Sequence, residues 1–386
     1  MTDTASKAPI PLSVLTGFLG AGKTTVLNKL LQDPGMAGTA VIINEFGEIG
    51  LDHLLVETAD ENVMEMSSGC LCCTIRGDLI DTMEDLMTRR DEGTIMAFDR
   101  VVIETTGLAD PAPILHTIMN HPWLVARYRL ESVITVVDVA NGEATLDAYG
   151  EAVKQIAVAD RLILSKADLM VGQEGEEQIA SLVVRLRKLA PAARIMDTIS
   201  GEATPANLFN AGLYDPDTKS PDVKRWLAEE AYGSEGKGRG RRGGRHHHHG
   251  HDHDHHHDVN RHDDHIKAFC IAADEPISAT SFDLFLELLR SYHGPNLLRM
   301  KGIVKVEEDP ERPFIIHGVQ HVFHPPVQLE AWPDEDKRSR LVFITRDVEK
   351  AELEKLFTAF TDRTQGAGAA FRDETLSLRS GGLLDQ

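Results

Sequence analysis

The chain has 386 residues, of which 42% are hydrophobic, and carries a formal net charge of −21. That length accommodates two or three domains with real cores, no apolar run approaches the ~18–20 residues of a membrane helix, and the charge repels nucleic acid and anionic membranes overall. The opening "MTDTASKAPIPLSVLTG" lacks a basic stretch followed by a long apolar one, so it does not read as a secretory signal, and a cytoplasmic protein is expected.

From Ile10 to about Asn210, short apolar, β-branched runs ("IPLSVLT", "TAVIIN", "RVVIET", "SVITVVDV", "RLILS") alternate with helix-like stretches. Runs apolar on both faces suit strands covered on each side, which predicts an α/β fold with a mostly parallel sheet and helices on both faces over residues 1–214. After the first run comes "GFLGAGKTT", Gly17 to Thr25. It fits G-x-x-x-x-G-K-[ST] between a strand and a helix, the setting a phosphate-binding loop requires. Gly17, Gly20 and Gly22 let backbone N–H groups curl around phosphate oxygens, and the helix adds its positive end. Lys23 is expected to reach the β- and γ-phosphates, with Thr24 offering a hydroxyl to Mg²⁺ and Thr25 completing the loop. The bland alternative is a chance glycine-rich turn.

"INEFGEIGLD", Ile43 to Asp52, follows the second strand. Its polar, glycine-containing makeup suits a switch segment that orders around a γ-phosphate. Next comes "SSGCLCCTIRG", which packs Cys70, Cys72 and Cys73 into four positions of a chain whose remaining cysteine is Cys270. A disulfide is disfavoured in a reducing compartment. A redox pair through the Cys70–Cys73 spacing, an inert buried knot and a metal site remain open. "TIRGDLIDTMEDLM" has apolar residues at helical spacing, so Cys73 is expected at or near a helix N-terminus, where thiolate is favoured. Three soft ligands suit Zn²⁺ or Co²⁺, and a fourth position left open suits transfer better than permanent binding. Cys270, in an apolar strand, reads as core.

"VVIETTGLADP" brings Glu104 to the carboxyl end of a strand, where open parallel sheets bind ligands. Glu104 is placed to act on Mg²⁺ or its water shell, and Gly107 to offer an N–H to the γ-phosphate. With Lys23 it forms the expected catalytic set. "RLILSKAD" ends in Ser165, Lys166 and Asp168. The pattern resembles the N-K-x-D segment of GTPases, whose Asp reads guanine, with Ser165 in place of Asn softening that preference.

Residues 215–265 then hold a Gly/Arg run, "GKGRGRRGGR", and eleven of the eighteen histidines, between His246 and His265. With almost nothing apolar to offset ordering entropy, the segment reads as a disordered linker. Neutral imidazoles there offer weak, multiple metal binding. From Ile266 a strand ("IKAFCIAADEPI"), a helix ("ATSFDLFLELLRSYHG", ending at Gly294), strands in "LLRMKGIVKV", "PFIIHGVQHVFHPP" and "RLVFIT", and a helix capped by Asp347 ("DVEKAELEKLFTAF") predict a smaller α+β domain over 266–386.

"GFLGAGKTT", "INEFGEIGLD", "GCLCC", "IETTGLADP" and "SKAD" stand in the order found in the CobW family of P-loop GTPases, which is similar to the hydrogenase and urease nickel-insertion GTPases. "LLRMKGIVKVE" and "IIHGVQHVFH" resemble that family's C-terminal domain. The resemblance implies a GTPase using GTP and Mg²⁺ that delivers zinc or cobalt to a client metalloprotein, with Cys70, Cys72 and Cys73 as the metal-binding cysteines. A homodimer is a further possibility. Competing readings are a metal storage or sensing protein working through its histidine arm, cobalt delivery for cobalamin synthesis, and a small-molecule kinase, which leaves the cysteines unexplained.

Overall fold

The computed structural model describes residues 9–44, 63–65, 71–75, 79–209 and 265–361. Residues 45–52 of the switch segment, Cys70, the Gly/Arg run and the histidines from His246 to His262 lie outside the described residues.

In chain order the strands of the first part are β1 (Ile10–Gly17), β2 (Thr39–Asn44), β3 (Val63–Glu65), β4 (Leu71–Ile75), β5 (Arg100–Glu104), β6 (Tyr128–Asp138), β7 (Arg161–Ser165) and β8 (Arg194–Asp197). The helices between them are α1 (Lys23–Leu31), α2 (Leu79–Asp91), α3 (Ala112–Asn120), α4 (Pro122–Val125), α5 (Gly142–Ala148), α6 (Gly150–Ala157), α7 (Gly172–Leu189) and α8 (Pro205–Phe209). Among the described residues these strands make one sheet in the order β3-β4-β2-β5-β1-β6-β7-β8. β3 alone runs antiparallel, against β4. The expected mostly parallel α/β sheet is therefore the observed one. Its central strands are buried along nearly their whole length because apolar clusters cover both faces. β8, which local patterning does not announce, is held by parallel pairing to β7.

The second part contains β9 (Ile266–Ala273), α9 (Ala279–His293), β10 (Leu297–Val304), β11 (Phe314–Val319), β12 (Val322–Phe323), β13 (Val327–Gln328), β14 (Ser339–Arg346) and α10 (Lys350–Thr361). Its strands form an antiparallel sheet ordered β12-β11-β10-β14-β9, with β13 beside β11. α9 and α10 contribute Phe282, Phe285, Leu289, Leu353 and Phe357 to the core on the sheet. Cys270 is buried on β9 beside Ile303 and Val342, as its apolar setting predicts.

Two local expectations are corrected. Cys72 and Cys73 stand within β4, not at a helix start, and α2 begins only at Leu79. The reason is tertiary: β4 is hydrogen-bonded to β2 on one side and β3 on the other, and that pairing outweighs a local helical period. Asp347 does not cap α10. It takes a left-handed backbone, φ 55, and its carboxylate meets His265 Nδ1 at 2.5 Å.

The two parts pack together. α3 meets β11 and β12, where His116 Nε2 lies 2.9 Å from the Val319 carbonyl. A carbonyl only accepts, so Nε2 carries the proton. Behind α6, Asp160 receives two 2.7 Å hydrogen bonds from Arg299 Nη2 and another from Lys301, all nearly out of solvent. Arg299 Nη1 also donates to the Val158 carbonyl. Burial resists the charge on Asp160, but the Arg299 and Lys301 cations hold its carboxyl far below the usual range. Burial pushes the neighbouring His317 well below its usual value, and the same two cations add to this, so it stays neutral. No helix of the described residues is long and apolar enough to cross a membrane.

Glu131 on β6 is 9% exposed, and Ser13 Oγ donates to it at 3.5 Å. Burial raises its pKa from 4.5 to about 7 against the pull of Arg100 and Arg129. The unfolded chain releases this proton near pH 4.5, whereas the folded protein keeps it until about 7. Stability therefore falls as pH rises across that window, by about 3 kcal/mol. Glu131→Gln is expected to remove that slope and to be more stable than the parent at pH 8, measured by urea unfolding at pH 5 and 8.

Candidate functional site

β1 ends at Gly17, whose φ is 143 and which still pairs with Val136 of β6. A Cβ there would sit 2.4 Å from the Val136 carbonyl oxygen, so only glycine fits. The loop closes at Gly22, φ 90, which caps the start of α1. Lys23 follows, with its Nζ folded back to donate to Gly17 O at 3.0 Å and Phe18 O at 3.4 Å. The loop thus wraps a buried ammonium at a helix N-terminus, a cradle suited to an anion.

The next residue, Thr24, donates its hydroxyl to Glu104 Oε1 at 3.0 Å. Glu104 is 4% exposed and stands at the carboxyl end of β5, adjacent to β1. A hydroxyl and a carboxylate brought together beside a phosphate loop form a hard oxygen donor pair, the kind that fits Mg²⁺. Past Glu104 the chain is pinned to β1: Thr105 N donates to Leu15 O at 2.9 Å and Thr105 Oγ1 to Thr16 Oγ1 at 2.8 Å. Gly107 then lies against the loop. A Cβ on it would be 2.6 Å from Leu19 N and Cα and 3.0 Å from Lys23 Nζ.

At the end of β7, Ser165 Oγ donates to the Ala21 carbonyl at 2.6 Å, tying this strand to the phosphate loop. Lys166 takes a left-handed backbone, φ 59, and its Nζ donates to Asp138 Oδ2 at 2.8 Å. Burial works against a charge on Asp138, but hydrogen bonds from Lys166, Asn141 and the Ala140 N–H outweigh it and hold the carboxyl below its usual range. Asp168 sits exposed on the short turn Ala167–Leu169. Between the phosphate loop and α5 and α6 lies a pocket of about 210 Å³, lined among others by Phe18, Gly20, Asp138, Gln155 and Lys166.

The structure thus brings together Gly17, Gly20, Gly22, Lys23, Thr24, Glu104, Gly107, Ser165 and Lys166 at the carboxyl ends of β1, β5 and β7. Two contributors escape a reading of motifs alone. Asp138 ends the strand "VITVVD", and a carboxylate at a parallel strand's carboxyl end is a usable signal. Gln155 is a polar residue among apolar ones in "AVKQIAV". It is 1% exposed, and its Nε2 donates to the carbonyls of Gly107 and Ala109 at 3.3 and 3.1 Å.

The cysteine strand belongs to the same sheet. Cys72 and Cys73 pair with Val41 and Ile42 of β2, and the next residue, Thr74, pairs with Ile43, which on its other side pairs with Glu104. Two strand spacings, about 10 Å, separate β4 from β5. β2 fills that interval, and its end at Asn44 leads into the switch segment.

Comparison with known proteins agrees with this arrangement. Residues 11–197 match the CobW/HypB/UreG nucleotide-binding domain, and residues 266–361 match the cobalamin synthesis protein CobW C-terminal domain. The zinc chaperone YjiA of Escherichia coli is 30% identical over 352 residues, covering 90% of this chain and 98% of its own length. The zinc-regulated GTPase metalloprotein activator 1 of Schizosaccharomyces pombe is 32% identical over 234 residues, 59% of this chain and 51% of that protein. The zinc-bound crystal structure of the E. coli YjiA GTPase superimposes with a TM-score of 0.63 at 28% identity, covering 92% of this chain and all of that one. A phosphate loop with its Thr–Glu pair, an antiparallel C-terminal sheet and similarity along most of the length together assign the chain to the CobW/HypB/UreG family of P-loop GTPases.

Proposed function

We propose that the protein is a GTP-hydrolysing metallochaperone that binds zinc through Cys70, Cys72 and Cys73 and releases it to a client metalloprotein according to its nucleotide state. The observation that carries this reading is the register of β2, hydrogen-bonded between the strand of Glu104 and the strand of Cys72 and Cys73. A shift of β2 or of the segment after Asn44 on loss of the γ-phosphate is felt on both sides. Metal affinity and nucleotide affinity are then linked, each changing the other by the same factor.

Lys23 holds the β- and γ-phosphates, the backbone of Gly17, Gly20 and Gly22 surrounds them, and Thr25 stands in the first turn of α1. Thr24 and Glu104 would hold Mg²⁺, which supplies neutralisation of the charge on the transferring phosphoryl group. Glu104 keeps the Thr24 hydroxyl oriented, and Gly107 turns its N–H toward the γ-phosphate. On the base side, Asp168 accepts from guanine while Ser165 and Lys166 set the turn that carries it. The names of the relatives favour zinc over cobalt as cargo. A cytoplasmic setting suits three reduced thiols.

Initial rates with GTP and ATP test the nucleotide assignment. GTP is expected to turn over at least tenfold more efficiently, and Asp168→Ala to erase most of that difference. Equal rates for the two nucleotides in the parent protein would overturn the guanine reading.

A further inference from the structure

The loop that follows Glu104 is gripped by two consecutive residues of α6. Gln155 Nε2 donates to the carbonyls of Gly107 and Ala109, and Lys154 Nζ donates to Asp110 Oδ2 at 2.7 Å. Asp110 in turn accepts from Ala112 N at the start of α3. Gln155 is almost wholly buried, its Oε1 has no hydrogen-bond partner among the described residues, and it lines the pocket beside the phosphate loop. A buried amide in a helix otherwise packed with apolar residues carries a desolvation cost that calls for a reason. The loop it holds leaves no freedom for substitution, since a Cβ on Gly107 would strike Leu19 and approach the Lys23 ammonium.

We propose that Gln155 is a positioning residue for hydrolysis: it fixes the carbonyls of Gly107 and Ala109, and so aims the Gly107 N–H at the γ-phosphate. Lys154 and Asp110 steady the far end of the same loop. The inference rests on the nucleotide reading above and goes beyond it. It assigns a role to a helix outside every nucleotide-binding motif. It also gives the C-terminal sheet a route to the reaction, because Arg299 holds the carbonyl of Val158, the residue that follows α6 and stands three beyond Gln155. Placement of a γ-phosphate donor matters only when a γ-phosphate is present, so the clamp acts on the GTP state and leaves the GDP state alone.

The test compares Gln155→Met, which keeps length and bulk but removes both donors, with the parent protein. GDP and a non-hydrolysable GTP analogue are titrated by calorimetry, and GTP turnover is measured. Gln155→Met is expected to bind GDP as the parent does, to lose about tenfold in affinity for the analogue, and to lose at least tenfold in kcat. Equal weakening of both nucleotides, or no change in either, would overturn the positioning role. Should Gln155→Met not fold, Lys154→Ala is read in the same way, with a smaller loss of the same selectivity expected and an unchanged ratio counting against it. Failure of the parent protein to bind or hydrolyse GTP would instead sink the nucleotide reading, so the two failures are distinct.

Discussion

Asp160→Ala is expected to lower the unfolding free energy by about 3–5 kcal/mol, as measured by urea denaturation at neutral pH. The carboxylate accepts from Arg299 and Lys301 of the second sheet and, through Oδ2, from Val133 N at 2.9 Å in the first. Its removal leaves two buried cations facing each other and a backbone N–H without its acceptor. Arg161, the next residue and itself buried, adds positive charge near Lys301. The triple replacement Asp160→Ala with Arg299→Met and Lys301→Met should recover much of the loss, since the two cations that faced the carboxylate go with it. The pH dependence has a definite sign. Asp160 has a folded-state pKa far below its unfolded value, so its contribution is fully present above the unfolded carboxylate range and disappears as pH falls through and beneath that range. A single cooperative transition that splits into two in Asp160→Ala would show that this cluster couples the two sheets.

Lys23→Ala is expected to reduce kcat/KM for GTP by about 10²- to 10³-fold while changing stability by only about 1 kcal/mol. The hydrogen bonds lost, to Gly17 O and Phe18 O, are internal to the loop. What disappears is the side-chain ammonium that the loop encloses next to Gly107. Turnover in a steady-state phosphate-release assay, alongside a thermal unfolding curve, separates the two effects. A parent-like rate would remove Lys23 from the site.

The contrast between these two residues explains what the sequence could and could not disclose. Lys23 belongs to a motif whose members are neighbours in the chain, so their spacing alone implies their geometry. Glu104 is legible for a related reason, because a polar residue ending an apolar strand lands at the ligand edge of a parallel sheet. Asp160 and Arg299 are 139 positions apart and meet only because α6 and the residues after it pack against β10. No local pattern encodes that. Ser165 shows a middle case: its position is readable, but not its hydrogen bond to Ala21, which ties the strand end to the phosphate loop. Periodicity places Cys73 at or near a helix start, and the competing force is pairing to strands on both sides, one of them contributed by Val63–Glu65. Cys72 and Cys73 are therefore joined to the strand of Glu104 by a ladder of backbone hydrogen bonds through β2.

The link between metal and nucleotide is tested most directly by titrating Zn²⁺ against a competing chelator, with the protein saturated by a non-hydrolysable GTP analogue and then by GDP. Metal affinity should be at least tenfold higher with the analogue, and Cys72→Ser with Cys73→Ser should abolish the tight site in both states. Equal zinc affinity in the two nucleotide states would contradict the coupling through β2 on which the account depends.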